Sequence, residues 1–227
     1  RPQVEIFDHP QSKTTPESVM ERQQAPIGVF GGTFDPIHFG HLRTGYELLQ
    51  LLRLDEVRYL PCGLPPHRGV PVASGQARLE MVRAAVAGRP GLVVDDRELH
   101  RDGPSYSVDT LQDLRKDFPD RSLCLIVGMD AFLGFPDWSR WQQIFELAHV
   151  VVAKRPGWSA PDMGELDGVL SQRETARVRD LHEAVSGRIY IHAVTQLEIS
   201  STAIRQMVSA GQEPRFLVPD ETCEIIK

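Results

Sequence analysis

Residues Ile27 to His41 read IGVFGGTFDPIHFGH, and no other stretch restricts the possible folds of this chain as tightly. Ile27, Val29 and Phe30 suit a buried strand. Gly31 and Gly32 follow, where a backbone can turn sharply and approach a ligand with no Cβ in the way. Thr33, Asp35 and Pro36 favour a loop. A helix is predicted from about Phe39 or Gly40, because Leu42, Tyr46, Leu49 and Leu52 recur at helical spacing. Strand, glycine loop and helix N-terminus together make an anion site, since free backbone N–H groups and the helix dipole both face the loop. His38 and His41 fall on one face of the first helical turn and point at the same place. The glycines precede no Gly-Lys-Ser/Thr and do not read G-x-G-x-x-G, which sets aside the P-loop and the dinucleotide fingerprint. Two plainer readings compete: histidines with structural roles, or a zinc pair completed by Cys62 or His67. Zinc needs three or four ligands at recognisable spacing, and no second paired motif is present.

The rest of the chain alternates strand and helix. Strands are predicted at Glu56–Pro61, Leu92–Asp95, Leu123–Val127, Val150–Ala153 and Ile189–Ala193. Ser74 is a natural cap for a helix running to about Ala87, with Leu79, Val82, Ala85 and Val86 buried. Ser107 or Ser105 would cap a helix carrying Val108, Leu111 and Leu114. FPDWSRWQQIFELA reads as a turn and a short helix, Trp158 to about Gly168 as a flexible loop, and Gln172 to Val185 as a charged helix. A last helix begins after Pro219. Such alternation predicts an α/β, doubly wound parallel sheet of about six strands with helices on both faces. Ligands then bind at the carboxyl ends of the strands. GGTFDPIHFGH, PPHR, GMD, KRPG and ISST each follow a strand, so they should meet at one edge.

Composition sets outer bounds. The chain has 227 residues, 41% hydrophobic and 25% charged, with a formal net charge of −6. An acidic balance argues against a nucleic-acid surface. Cys62, Cys124 and Cys223 lack C-x-x-C spacing and read as reduced thiols, and neither a membrane span nor a secretory signal is visible. The expectation is a cytoplasmic protein with no nucleic-acid or membrane partner. Residues 1–25 are polar and proline-containing and are expected to form an extension. Residues 26–227 are expected to form a single domain.

Ile199 to Arg205, ISSTAIR, is the second informative motif. Three hydroxyls at a helix start, with Arg205 one turn on, suit a phosphate, although an ordinary capped surface helix would look the same. GGTFDPIHFGH resembles the H-x-G-H loop of the nucleotidyltransferase superfamily, which carries a similar I-S-S-T-x-x-R segment late in the chain. The set GGTFDPIHFGHL, PPHR, PSYSVDTL, GMDA, FPDWSRW, KRPG and ISSTAIR resembles the bacterial nicotinate-nucleotide adenylyltransferases, from about Pro26 to Ile226.

That resemblance implies a Rossmann-like domain that joins ATP to nicotinate mononucleotide with Mg²⁺, giving nicotinate adenine dinucleotide for NAD synthesis. It places ATP against Gly31, Gly32, Thr33, Phe34, His38, His41, Gly128, Asp130, Ile199, Ser200, Ser201 and Thr202. His38, His41 and Arg205 would act on the reacting phosphates. His67, Arg68, Ser107, Trp138, Ser139 and Arg155 would hold nicotinate mononucleotide, with the ring on Trp138 and its carboxylate on backbone N–H groups near Ser107 and Trp138–Ser139. No carboxylate pair stands out for Mg²⁺, so the ion is expected to ride on the ATP phosphates. Phosphopantetheine adenylyltransferase shares the H-x-G-H loop and a similar S-S-T segment but lacks F-P-x-W. Nicotinamide mononucleotide could also serve as acceptor, and the same fold could carry a non-catalytic nucleotide sensor.

Overall fold

A computed structural model describes residues 25–66, 69–157 and 164–226. Residues 1–24 of the expected 1–25 extension, His67, Arg68 and the first part of the expected 158–168 loop lie outside them. Six parallel strands form one sheet: β1 (Ile27–Gly32), β2 (Glu56–Pro61), β3 (Leu92–Val94), β4 (Leu123–Gly128), β5 (His149–Lys154) and β6 (Ile189–Ala193). Their spatial order is β3-β2-β1-β4-β5-β6. Strand order therefore reverses between β1 and β4, and the crevice above their carboxyl ends is where open α/β sheets take ligands.

The helices are α1 (Phe39–Leu51), α2 (Gly75–Val86), α3 (Ser107–Asp117), α4 (Met129–Leu133), α5 (Ile144–Leu147), α6 (Leu166–Arg173), α7 (Arg179–Glu183), α8 (Ser201–Ser209) and α9 (Asp220–Ile225). Side-chain alternation along a strand explains the layering. On β4, Leu123, Leu125 and Val127 join the core under α3, α4 and α5. Cys124 and Ile126 face the other way, into the core under α1 and α2. All five are buried, as a strand covered on both faces requires. A third, small cluster of Ile204, Val218 and Cys223 joins α8 to α9. The Thr222 hydroxyl of α9 donates to the Met81 carbonyl of α2 at 3.3 Å.

Two expectations need correction. The stretch Gln172 to Val185 is not one helix: α6 ends at Arg173 and α7 starts at Arg179. Glu174 forms a bridge with Ile189, and the Thr175 N–H donates to the Ile189 carbonyl at 2.9 Å. A ladder contact to β6 thus takes backbone groups that a continuous helix would use. Neither Ser105 nor Ser107 caps α3, whose N-cap is Tyr106 with no side-chain cap. Ser105 Oγ instead accepts the Gly63 N–H at 2.9 Å. Gly63 runs so close to the Glu98 carbonyl that a Cβ would lie 2.5 Å from its oxygen. The half-buried Gly63 amide is thereby paired by a side chain.

Candidate active site

The glycine loop leaves the sheet at the carboxyl end of β1. Beyond Gly31 and Gly32, Phe34 is buried and adopts φ 49°, a left-handed conformation uncommon for a bulky residue. Both Asp35 carboxylate oxygens are engaged, accepting the Val72 N–H at 2.8 Å and the Ala73 N–H at 3.1 Å. The loop is thereby fastened to the segment between β2 and α2.

His38 is the N-cap of α1, with extended backbone. Its N–H donates to His41 Nδ1 at 3.3 Å, so in neutral His41 the proton resides on Nε2. The two imidazoles stack, centroids 3.7 Å apart and planes 26° from parallel. Gly40 makes this stack possible: a Cβ there would stand 2.9 Å from His38 Nδ1 and 3.0 Å from Cε1. The glycine between the histidines leaves the His38 ring its space. Burial pushes the His38 pKa down to about 4, so the ring is neutral at neutral pH. Its Nδ1 is buried with no hydrogen bond among the described residues. A phosphate anion arriving here would raise the ring's proton affinity.

The second motif lands on the first. Ser200 is the N-cap of α8, and its Oγ accepts the Ala203 N–H at 3.1 Å. Ser201 Oγ donates to the Pro36 carbonyl at 2.9 Å, across 165 residues of sequence. Arg205 Nη1 donates to the Asp35 carbonyl at 2.7 Å, and its Nη2 reaches Thr202 Oγ1 at 3.3 Å. The N-termini of α1 and α8 therefore converge on one glycine loop, bringing two positive dipole ends, two imidazoles and a guanidinium together.

Among the described residues, the other candidates lie at the end of β4 or in the segments that follow β3, β4 and β5. Gly128 ends β4, beside β1, and serves as the N-cap of α4, with Asp130 exposed in its first turn. Trp138 is half-buried, its ring 4.6 Å from that of Phe135 and tilted by 41°. Trp141 meets Phe145 edge-on at 6.2 Å and packs against the core. Ser107 opens α3, and the two segments are tied by Arg140 donating to Asp109 at 2.5 Å. The Trp138 N–H already donates to the Phe135 carbonyl at 2.8 Å. It is thus not free for a ligand carboxylate, and among the described residues the N–H groups of Ser107 and Ser139 are. Arg155 lies exposed just past β5, without an ion pair among the described residues.

Sequence reasoning did not single out Asp35 as a clamp, or Tyr59 and Arg78, both buried beside the loop. Arg78 had a signal: it stands one turn before Val82 and two before Ala85, a charge on an apolar stripe. Among the described residues no group of three or more His, Cys, Asp or Glu side chains is arranged to hold a metal ion. No helix of those residues is long and apolar enough to cross a membrane.

Comparison with known proteins shows the family. The cytidylyltransferase-like family profile matches residues 29–207. An Aeromonas hydrophila protein carrying the name "Probable nicotinate-nucleotide adenylyltransferase" is 46% identical over 202 residues, 89% of this chain and 94% of its own. A Methylococcus capsulatus protein of the same name is 47% identical over 201 residues, 88% and 96% of the two chains. The chain belongs to the nicotinate-nucleotide adenylyltransferase family. The fold agrees as well. The structure of Plasmodium falciparum nicotinic acid mononucleotide adenylyltransferase complexed with NaAD superposes with a TM-score of 0.65 at 15% identity. It covers 89% of this chain and 94% of its own.

In this adenylyltransferase the buried histidines also make stability depend on pH. His38 and His149 both have pKa values lowered to about 4, chiefly by burial. His149 Nδ1 accepts the Arg188 N–H at 2.9 Å and Nε2 lies 2.8 Å from the Ala184 carbonyl, which fixes the neutral ring. Between about pH 4 and 6.5 the unfolded chain binds these protons and the folded chain does not. Stability therefore rises with pH through that window and is lost as pH falls, by up to about 3 kcal/mol per histidine. Thermal melts across this range should show the rise, and His149→Gln should flatten it. An unchanged slope in that variant would show that His149 is not responsible.

Proposed function

We propose that the protein transfers the AMP moiety of ATP to nicotinate mononucleotide, forming nicotinate adenine dinucleotide and pyrophosphate. The observation that carries this reading is the meeting of the His38–His41 stack, Arg205 and the α1 and α8 N-termini on one glycine loop at the switch point. The acceptor's phosphate oxygen bonds to the ATP α-phosphorus, and the bond from that phosphorus to the pyrophosphate oxygen breaks. A phosphate monoester is already an anion and needs no general base. It needs alignment and neutralisation of charge that grows on the leaving group, which fixed donors supply without reorganising.

Within this reading Gly31, Gly32, Thr33, Phe34 and the Ile199–Thr202 segment hold the triphosphate, and Gly128 and Asp130 meet the adenosine. His38, His41 and Arg205 stabilise the transition state. Transfer is direct, with no covalent intermediate; Cys62, whose Sγ lies 3.8 Å from Thr33 Oγ1, is buried, and burial pushes its thiol pKa up. The nicotinate ring lies on the open face of Trp138, with its carboxylate on the Ser107 and Ser139 N–H groups. Arg155, His67 and Arg68 complete the acceptor side. Mg²⁺ carried on the ATP phosphates would supply charge neutralisation there. The family name and the NaAD complex of the Plasmodium relative support the choice of acceptor.

Pyrophosphate release tests this, with ATP and Mg²⁺ and three acceptors in parallel: nicotinate mononucleotide, nicotinamide mononucleotide and phosphopantetheine. Strong preference for the nicotinate substrate is the expected result. Preference for either of the remaining two acceptors would overturn the pocket assignment, and no release with any would favour a nucleotide sensor.

A further inference from the structure

We infer that Arg78 is a positioning residue that aims the glycine loop at the nucleotide and holds the neighbouring segment in register with it. The side chain is 2% exposed, yet it makes no ion pair among the described residues. Its guanidinium donates instead to three backbone carbonyls from three places. Nη1 reaches Thr33 at 2.8 Å, Nε reaches Ala73 at 3.3 Å and Nη2 reaches Gly63 at 3.4 Å. Thr33 lies in the glycine loop, while Gly63 and Ala73 begin and end the segment that leads from β2 into α2. Burying a charge without a counter-charge is costly, and a hydrophobic side chain of similar size would avoid that cost. What a hydrophobic residue cannot do is hold three carbonyls in one planar fork, and a lysine holds them poorly.

The Thr33 contact bears on the nucleotide through peptide geometry. In a trans peptide the carbonyl and the following N–H point in opposite directions. Drawing the Thr33 carbonyl onto Arg78 therefore turns the Phe34 N–H away from Arg78. That N–H makes no hydrogen bond with any described residue, although Phe34 itself is buried. An unpaired donor in a loop of this kind is a phosphate donor, and Arg78 sets its direction. Asp35 works from the other side, holding Val72 and Ala73 by their N–H groups. Arg78 and Asp35 together lock the loop and the end of the segment before α2 as one unit.

The inference rests on the proposed reaction only for the identity of the acceptor, so its test includes a measurement without one. MgATP affinity is measured by calorimetric titration for the wild type, Arg78→Lys and Arg78→Met, with pyrophosphate release alongside. Arg78→Lys keeps the charge and the apolar stem but replaces the fork by a single ammonium. It is expected to fold, to bind MgATP about tenfold more weakly, and to lose about 100-fold in kcat/KM through kcat as well as KM. Arg78→Met, where folded, should lose more, and free guanidinium ion should restore part of it. If Arg78→Met fails to fold, Arg78→Lys alone decides. Wild-type MgATP affinity and turnover in Arg78→Lys would overturn the inference. A wild type that binds MgATP but does not turn over nicotinate mononucleotide would overturn the proposed acceptor and leave the MgATP comparison to decide the role of Arg78.

Discussion

His41→Ala should lower kcat about 100- to 1,000-fold while the protein stays folded, the range seen when one transition-state donor is removed from a preorganised site. His41 Nδ1 is held by the His38 N–H, which leaves Nε2 as the donor of a neutral ring. The ring is stacked on His38 at 3.7 Å and lies perpendicular to the Phe34 ring at 5.1 Å. Such a donor needs no reorganisation when charge builds on the phosphates. Truncation also removes the stack and the side-chain acceptor of the His38 N–H, so a stability loss of about 1 kcal/mol is expected. In a chain of this length that corresponds to about 2–4 °C in melting temperature. A rate deficit this size in a protein that melts near the wild type would separate catalysis from folding. Near-normal turnover in His41→Ala would remove the histidines from the mechanism.

Gly45→Ala is expected to destabilise the protein by about 2–3 kcal/mol, as overpacking of a closed core does. In an exposed helix the same change would stabilise by about 1 kcal/mol. The sign reverses because a Cβ on Gly45 would lie 2.1 Å from the Tyr59 hydroxyl oxygen and 2.9 Å from Cζ. Tyr59 is fully buried, and its hydroxyl donates to the His41 carbonyl at 3.4 Å. Displacing it therefore disturbs the first turn of α1, and activity should fall with stability. Tyr59→Phe removes the clashing oxygen. The double variant should recover more than half of the loss, a coupling expected only for side chains in contact. Denaturant titration of the four proteins measures it. Gly45→Ala at or above wild-type stability would show that the close approach of α1 to β2 is looser than described.

Much of the site was legible because its parts are local. The strand, the glycines and the histidines occupy fifteen consecutive residues, and a helix N-terminus is an anion site wherever it occurs. The start of α8 was equally readable, since Ser200 accepts a hydrogen bond from its own helix. The acceptor side was less so. Trp138 looked available with both its ring and its amide, but the amide is consumed by Phe135 three residues back. The break between α6 and α7 follows from pairing with β6, well beyond any helical window.

By itself, the sequence determined the six strands, most of the helices that cover them, and the two motifs that meet at the glycine loop. These depend on period, capping and glycine placement, which act within a few residues. Tertiary structure alone decided the order β3-β2-β1-β4-β5-β6, and with it the seating of Arg205 on the Asp35 carbonyl. It also decided that Arg78, a charge by composition, is a deeply buried link between two loops. The physical reason is the same in each case. Carbonyls left unpaired at loops and strand ends must find donors once water is excluded. Which arginine reaches them depends on contacts between residues far apart in the chain.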